Sequence, residues 1–465
     1  MRNLAGMVTR LITLLAAAVF APLAPAAAAS DADRSGISEN PGRNLVGHGG
    51  PVRGLDMTAD GKRALTASFD YAAMYWDLTA RPPEALTRLI GHDGPVNDVI
   101  FLSENRALTG SDDASLALWD LKSGEMLRRF HGHQAKVVDV TVSPDGRFAA
   151  SASWDRTVGL WRISDGEMIA QLTGHSGPVN AVAFSEDGEH LYSGSADGSV
   201  RLWSADGSDT TSIRPVIEYG WGINAMRLLP DGQIAFGSQN GDVRVIDTDG
   251  EEIKVLAPHD GPVLSLAVSP EGDILASGGS DGVIRLWQTG AWAPGETYNN
   301  PTGPVWALDF MTRGELYYGG LDDFVVYWSA DPREPFETIP SEYPRRFQVD
   351  SEMSLGERQF ARKCSVCHTL TPDDANRAGP TLYGIFGREA GSLPDYPYSK
   401  GLKETDITWN AETIGELFDR GPDHVTPGSK MPLQVIEDEE KREALVAFLE
   451  EATRKEKSRE SEQRE

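Results

Sequence analysis

Two cysteines, Cys364 and Cys367, are the only thiols in a chain of 465 residues, and His368 follows the second directly. Thiols three positions apart can each add across one vinyl group of a haem, and the adjacent imidazole then lies under the iron as an axial ligand. Two other uses of such a pair fit less well. Structural zinc takes four ligands. Without a second cysteine pair, and with His424 the only other histidine in this half, a carboxylate would have to complete the set. A thioredoxin-like redox pair sits in a βαβ setting, whereas the flanks here read helical. The motif therefore points to covalent haem and to movement of electrons.

The elements that must position the motif are short helices. Gly356, Phe360 and Cys364 stand four apart, which places them along one helical face leading into the motif. Asp438–Thr453 reads as a second helix with Leu445, Phe448 and Leu449 on its apolar stripe. The two are expected to cross, with Gly356 letting their backbones approach closely. Met431, in Pro427-Gly-Ser-Lys-Met431-Pro432, is the only methionine after His368 and the candidate distal ligand. A thioether there favours ferrous iron and raises the potential. His424, seven residues earlier, is its rival and would give a lower potential.

The N-terminus supplies an address. Residues 1–29 carry Arg2 and Arg10, an apolar run from Leu11 to Phe20, and an exit at Ala27-Ala28-Ala29. That order describes a secretory signal peptide; Pro22 and Pro25 argue against a retained anchor. A periplasmic location follows as an expectation, since c-type haem is attached outside the bacterial cytoplasm. No other long apolar run is present, so no transmembrane segment is expected after cleavage. A formal charge of −27 excludes a basic nucleic-acid surface and favours basic partners. With both cysteines committed to haem, stability must come from packing.

Between a lead-in over 30–43 and residue 330, the chain repeats with a period near 42. One anchor is Gly47-His48, Gly91-His92, Gly132-His133 and Gly174-His175, with Pro258-His259 a variant and Tyr219 and Pro301 standing where histidine is missing. The other is an Asp six residues before a Trp, as in Asp70/Trp76, Asp113/Trp119, Asp155/Trp161, Asp197/Trp203, Asp281/Trp287 and Asp322/Trp328. The fifth copy departs, with Asn240 and Ile246. Short strands joined by Asp-Gly turns make antiparallel meanders. One such sheet exposes both faces, whereas seven around an axis bury each other. Asn44-Leu45-Val46 falls where outer strands end in later copies, so it should complete the last blade. Pro335–Pro340 is a poorer candidate for that edge.

These anchors, with Trp76-Asp77 and Trp119-Asp120 literal, resemble the WD40 family over 44–330. The resemblance implies an all-β seven-bladed propeller in which the turn Asp, the His, a strand Ser or Thr and the Trp form a buried hydrogen-bonded set. In the third blade the set would be His133, Ser153, Asp155 and Trp161, and in the fourth His175, Ser195, Asp197 and Trp203. The histidines are then structural, and the propeller is a protein-docking disc.

After a linker over 331–350, residues 351–454 resemble the class I cytochrome c family, closest to its mitochondrial-type members, with a charged tail at 455–465. Gly379-Pro380-Thr-Leu-Tyr-Gly-Ile-Phe-Gly387-Arg388 carries the likeness together with the haem motif. The resemblance implies an all-α domain with one covalent haem c and axial ligands His368 and Met431. It also implies a Pro380 carbonyl bonded to the proximal imidazole, with Arg388, Tyr398 and Trp409 near the haem propionates. Phe418 stands where those members often have a tyrosine, and their basic surface is missing. The expected protein is a multidomain electron carrier rather than an enzyme, serving redox protein partners or a larger complex through its propeller. The alternatives are a haem enzyme with an open or labile distal site for peroxide or a nitrogen oxide, and a scaffold with a haem redox sensor.

Overall fold

The computed structural model describes residues 42–300, 303–329, 353–365, 367–372, 379–394, 396, 398–429, 431 and 434–454. The expected signal peptide, most of the lead-in, Pro301, the linker with Pro335–Pro340, and the charged tail lie outside the described residues.

From Leu45 to Ser329 the chain forms seven four-stranded antiparallel sheets. The first runs Val52–Met57, Arg63–Ser68, Ala72–Asp77 and Glu84–Ile90, in sequence order. The seventh is built from Val305–Thr312, Glu315–Gly320 and Phe324–Ser329, and its outer edge is Leu45–Val46. Leu45 pairs with Val325 and Val46 with Phe324, so the start of the chain closes the ring. The Asn44 carboxamide oxygen accepts from the Tyr327 N–H at 2.9 Å and fixes the register.

The core lies between blades. Leu65, Ala67 and Ala73 of the first pack against Val96, Val99 and Trp119 of the second. The seam at closure joins Leu45, Val52 and Trp76 to Met311 and Tyr317. Burying one such aromatic or leucine contributes roughly 1.5–3 kcal/mol, repeated around the ring.

The buried polar set recurs, with one correction. His133 Nδ1 meets Asp155 at 2.8 Å, while its Nε2 and the Trp161 indole N–H both reach Ser151 at 2.8 Å. In the fourth blade His175, Asp197, Trp203 and Ser193 repeat this geometry. The hydroxyls are thus Ser151 and Ser193, not the expected Ser153 and Ser195. Residues two apart on a strand share a face. The pair at 153 and 195 lies at the strand end and turns back on the loop: Ser153 Oγ donates to Ala135 O and Ser195 Oγ to Pro178 O. Thr66 and Thr109 hold the corresponding place in the first two blades. In the irregular fifth blade a different network forms. The Tyr219 hydroxyl donates to Asp242, and Asn240 Nδ2 reaches the same carboxylate at 3.1 Å.

Each inner strand bulges at the same point, for instance between Val96 and Asp98 and between Val137 and Asp139. Residues of all seven inner strands, Asp98 and Asp139 among them, line a central channel. There the Asp309 carboxylate accepts from Met57 N at 2.9 Å, Asp56 from Phe101 N at 2.6 Å, Asp98 from Val140 N at 2.8 Å and Asp139 from Val182 N at 2.7 Å. Each aspartate therefore ties its blade to the next. The channel strips water from these groups, and the charge of Asp56 adds to the effect, pushing Asp309 up to about 8. An unfolded aspartate ionises near 4. Between those values the folded chain keeps a proton that the unfolded chain has released, so stability falls as pH rises from about 4 to about 8. Asp309→Asn should therefore gain in melting temperature relative to wild type between pH 5 and pH 9. A difference that stays constant across that range would contradict the assignment.

Five helices follow among the described residues: α1 Leu355–Lys363, α2 Lys400–Lys403, α3 Ala411–Arg420, α4 Pro422–Val425 and α5 Glu439–Ala452. Ser354 caps α1, Asn410 and Thr413 form a capping box on α3, and Asp438 caps α5. α1 crosses α5 at Gly356, where an added Cβ would sit 2.1 Å from Ala444 O. Phe360, Leu445 and Leu449 are buried at the crossing, and Phe360 meets Phe448 with ring centroids 5.6 Å apart.

Candidate haem site

α1 ends at Lys363, and the chain tightens at once. The N–H of Cys367 reaches Cys364 O at 3.0 Å, and that of His368 reaches the same carbonyl at 2.9 Å. This turn sends Cys364, Cys367 and His368 into one cavity. Cys364 is buried, and burial, with Cys367 alongside, pushes its thiol up to about 12. A wall that keeps sulfur neutral suits a thioether, whereas a redox-active pair needs a lowered thiol pKa. Among the described residues, no carboxylate or further histidine gathers with the two cysteines into a metal-ligand cluster.

His368 Nδ1 lies 2.7 Å from Pro380 O. A carbonyl only accepts, so Nδ1 carries the proton and Nε2 is the nitrogen that holds the lone pair, the tautomer a metal ligand needs. Gly379 packs flat on the ring, since a Cβ there would come within 2.3 Å of His368 Cε1. The imidazole is thus held both in tautomer and in plane.

The cavity holds about 130 Å³ of enclosed space, far more than an ion needs. Its apolar wall includes Leu382 and Ile385, with Ile414, Leu417 and Phe418 from α3. Met431 lines the same space. The His424 side chain is 59% exposed, pairs with Asp423 at 3.2 Å and does not line the cavity. A flat apolar macrocycle with two thioether links and two axial donors fits these residues.

A polar margin is formed by Arg388, Tyr398 and Trp409. Gly387 N–H donates to Trp409 O at 2.7 Å, and Trp409 N–H to Arg388 O at 2.9 Å, so the residues are held as a pair of facing segments. The Arg388 guanidinium donates to Thr381 O at 2.6 Å and to Tyr383 O at 3.3 Å. Burial lowers its pKa, while the nearby Tyr398 raises it.

All eight residues singled out from the sequence therefore border one cavity. The apolar wall was only partly foreseen. Ile414, Leu417 and Phe418 have helical spacing, but nothing in that spacing says what they face. Tyr71, from the first blade, lines the cavity as well and was not foreseen.

The fold and the site define a β-propeller protein with a small helical domain built to enclose a haem. Comparison with known families agrees. The model described as the IFT122 first beta-propeller matches residues 95–338, that of the WD domain, G-beta repeat, matches 39–77, and that of cytochrome c matches 353–453. Cytochrome c of Cochliobolus lunatus is 36% identical over 99 residues, 21% of this chain and 91% of the relative. Cytochrome c of Arabidopsis thaliana is 36% identical over 106 residues, 23% of this chain and 94% of the relative. Cytochrome c2 of Blastochloris viridis is 38% identical over 98 residues, 21% of this chain and 76% of the relative. The chain belongs to the WD40 β-propeller family and, through its C-terminal domain, to the cytochrome c family. The cofactor is covalently bound haem c; the cytochrome c domain points to haem electron transfer and the propeller to protein interaction.

Proposed function

We propose that the protein is an exported electron carrier of the periplasm. In it Cys364 and Cys367 hold one haem c, His368 and Met431 are the axial ligands, and the propeller docks a redox partner. The observation that carries this reading is the His368–Pro380 bond, which aims a metal-binding nitrogen into a cavity that Met431 also lines. When bound, the haem supplies an iron that alternates between ferric and ferrous states. The chain does the rest. Pro380 and Gly379 fix the imidazole, and the apolar wall excludes water. Arg388, Tyr398 and Trp409 offer charge and hydrogen bonds that offset the cost of burying propionates. With His368 and Met431 both holding the iron, no position would remain for a substrate on the metal, which favours a carrier over an enzyme. Residues 1–29 support export, and no described helix is long and apolar enough to cross a membrane. Docking on the propeller keeps the haem domain near its partner by linkage.

Met431→Ala is expected to abolish the Met–iron charge-transfer absorption of the ferric protein and to lower its midpoint potential. His424→Ala should leave both unchanged. A Met431→Ala protein with the wild-type spectrum and potential would remove Met431 from the iron.

A further inference from the structure

The turn joining the second and third strands of a blade holds one residue in the left-handed region. Its φ is 64° at Ala114, 75° at Arg156, 84° at Gly198, 96° at Gly241, 78° at Gly282 and 69° at Tyr71. Glycine adopts this conformation without strain, and a bulky aromatic is poorly suited to it. Tyr71 is the only ring among these six, and the turn itself gives no reason for it. Strain of this kind persists where surrounding structure makes use of it.

The cavity gives the reason. Tyr71 lines it together with Lys363, Cys367 and His368, although it belongs to the propeller. Its neighbourhood also includes Asp112, on the corresponding turn of the second blade, and the phenol's pKa is raised by burial first, then by Cys367 and Asp112. Cys364 is buried in the helical domain, whereas Cys367 is only half-buried. Cys367 stays half-buried with the propeller in place, so its side is the accessible edge of the cavity, and it is the side Tyr71 meets.

On the haem reading proposed above, we infer that the Tyr71 ring narrows the mouth of the haem cavity beside Cys367, so that solvent reaches the haem edge past the first blade. The propeller is then part of the haem's enclosure as well as a docking platform. Removing the ring lets more water and small solutes reach the edge. Water favours the more highly charged ferric form, so the potential falls.

The test uses the full-length holoprotein. Tyr71→Gly relieves the backbone strain and so keeps the turn. Reduction by ascorbate, followed by stopped-flow absorbance, should accelerate about fivefold or more, and the midpoint potential should drop. Tyr71→Phe keeps the ring and should match wild type. Arg156→Gly makes the same backbone change in the third blade, away from the cavity, and should also match wild type. Tyr71→Gly reduced at the wild-type rate and potential, or Tyr71→Phe as fast as Tyr71→Gly, would overturn the inference. Failure of the underlying haem reading shows separately, as a wild-type protein without covalent haem or without the Met–iron absorption.

Discussion

Gly356→Ala should cost the C-terminal domain a large part of its stability while the propeller melts as before. In an ordinary helix this change stabilises by roughly 0.5–1 kcal/mol, so the expected sign is reversed. The new Cβ would lie 2.1 Å from Ala444 O and 2.7 Å from Phe448 Cβ. One is a backbone carbonyl and the other the root of a helical side chain, so neither can swing aside. α1 and α5 must part instead. Overpacking of this kind costs about 1–3 kcal/mol. Loosening the Phe360–Phe448 pair removes about 0.5–1.5 kcal/mol more. Against a total stability of about 5–15 kcal/mol for a small domain, that is a large fraction. Helical circular dichroism followed through a thermal melt reads the effect directly. An unchanged or raised transition for the helical signal would show that the crossing is not as tight as the geometry makes it.

Cys364→Ser combined with Cys367→Ser should remove haem from the denatured chain and markedly destabilise the helical domain. An unfilled cavity costs stability. At ~24 cal/mol per Å³, its enclosed space of about 130 Å³ carries a penalty of roughly 3 kcal/mol, a large fraction of the stability of such a domain. Ligand and fold are therefore linked by mass action. Haem staining of a denaturing gel should find pigment on the wild type and none on the double variant. In circular dichroism the helical signal should melt earlier and the sheet signal as before. Pigment persisting on the denatured variant would mean attachment elsewhere. An unchanged helical melt without any haem would mean the domain does not depend on it.

How much of this was legible in the sequence depended on how local each constraint is. The propeller was readable because its Gly-His and Asp–Trp anchors repeat at fixed spacing. Ring closure was readable because Leu45–Val46 falls where outer strands end. Ser151 was confused with Ser153 because both are serines on the same strand face, and only the position of the Trp161 indole chooses between them. The axial aspartates could not be read, since Asp56, Asp98, Asp139 and Asp309 find their partners one blade away. At the candidate haem site, Cys364, Cys367, His368, Pro380 and Met431 could be singled out because the expected covalent links and coordination ask for residue type as well as spacing, and all five line the cavity. Tyr71 was not, because a tyrosine in a turn carries no sign of what lies opposite it.

The pairing of Leu45 with Val325 has a consequence for how the molecule is made. Its two halves are separated by nearly the whole ring, a contact of very high sequence separation. Such contacts form late, after the loop-closure entropy of the intervening chain has been met. A ribosome delivering the chain from its N-terminus must release the seventh blade before the ring can shut. Until then Leu45–Val46 waits beside an open edge. The haem motif, only a few dozen residues beyond the closing strand, emerges shortly afterwards. Assembly of the disc and maturation of the cytochrome are thereby brought close together in time by the order of the chain.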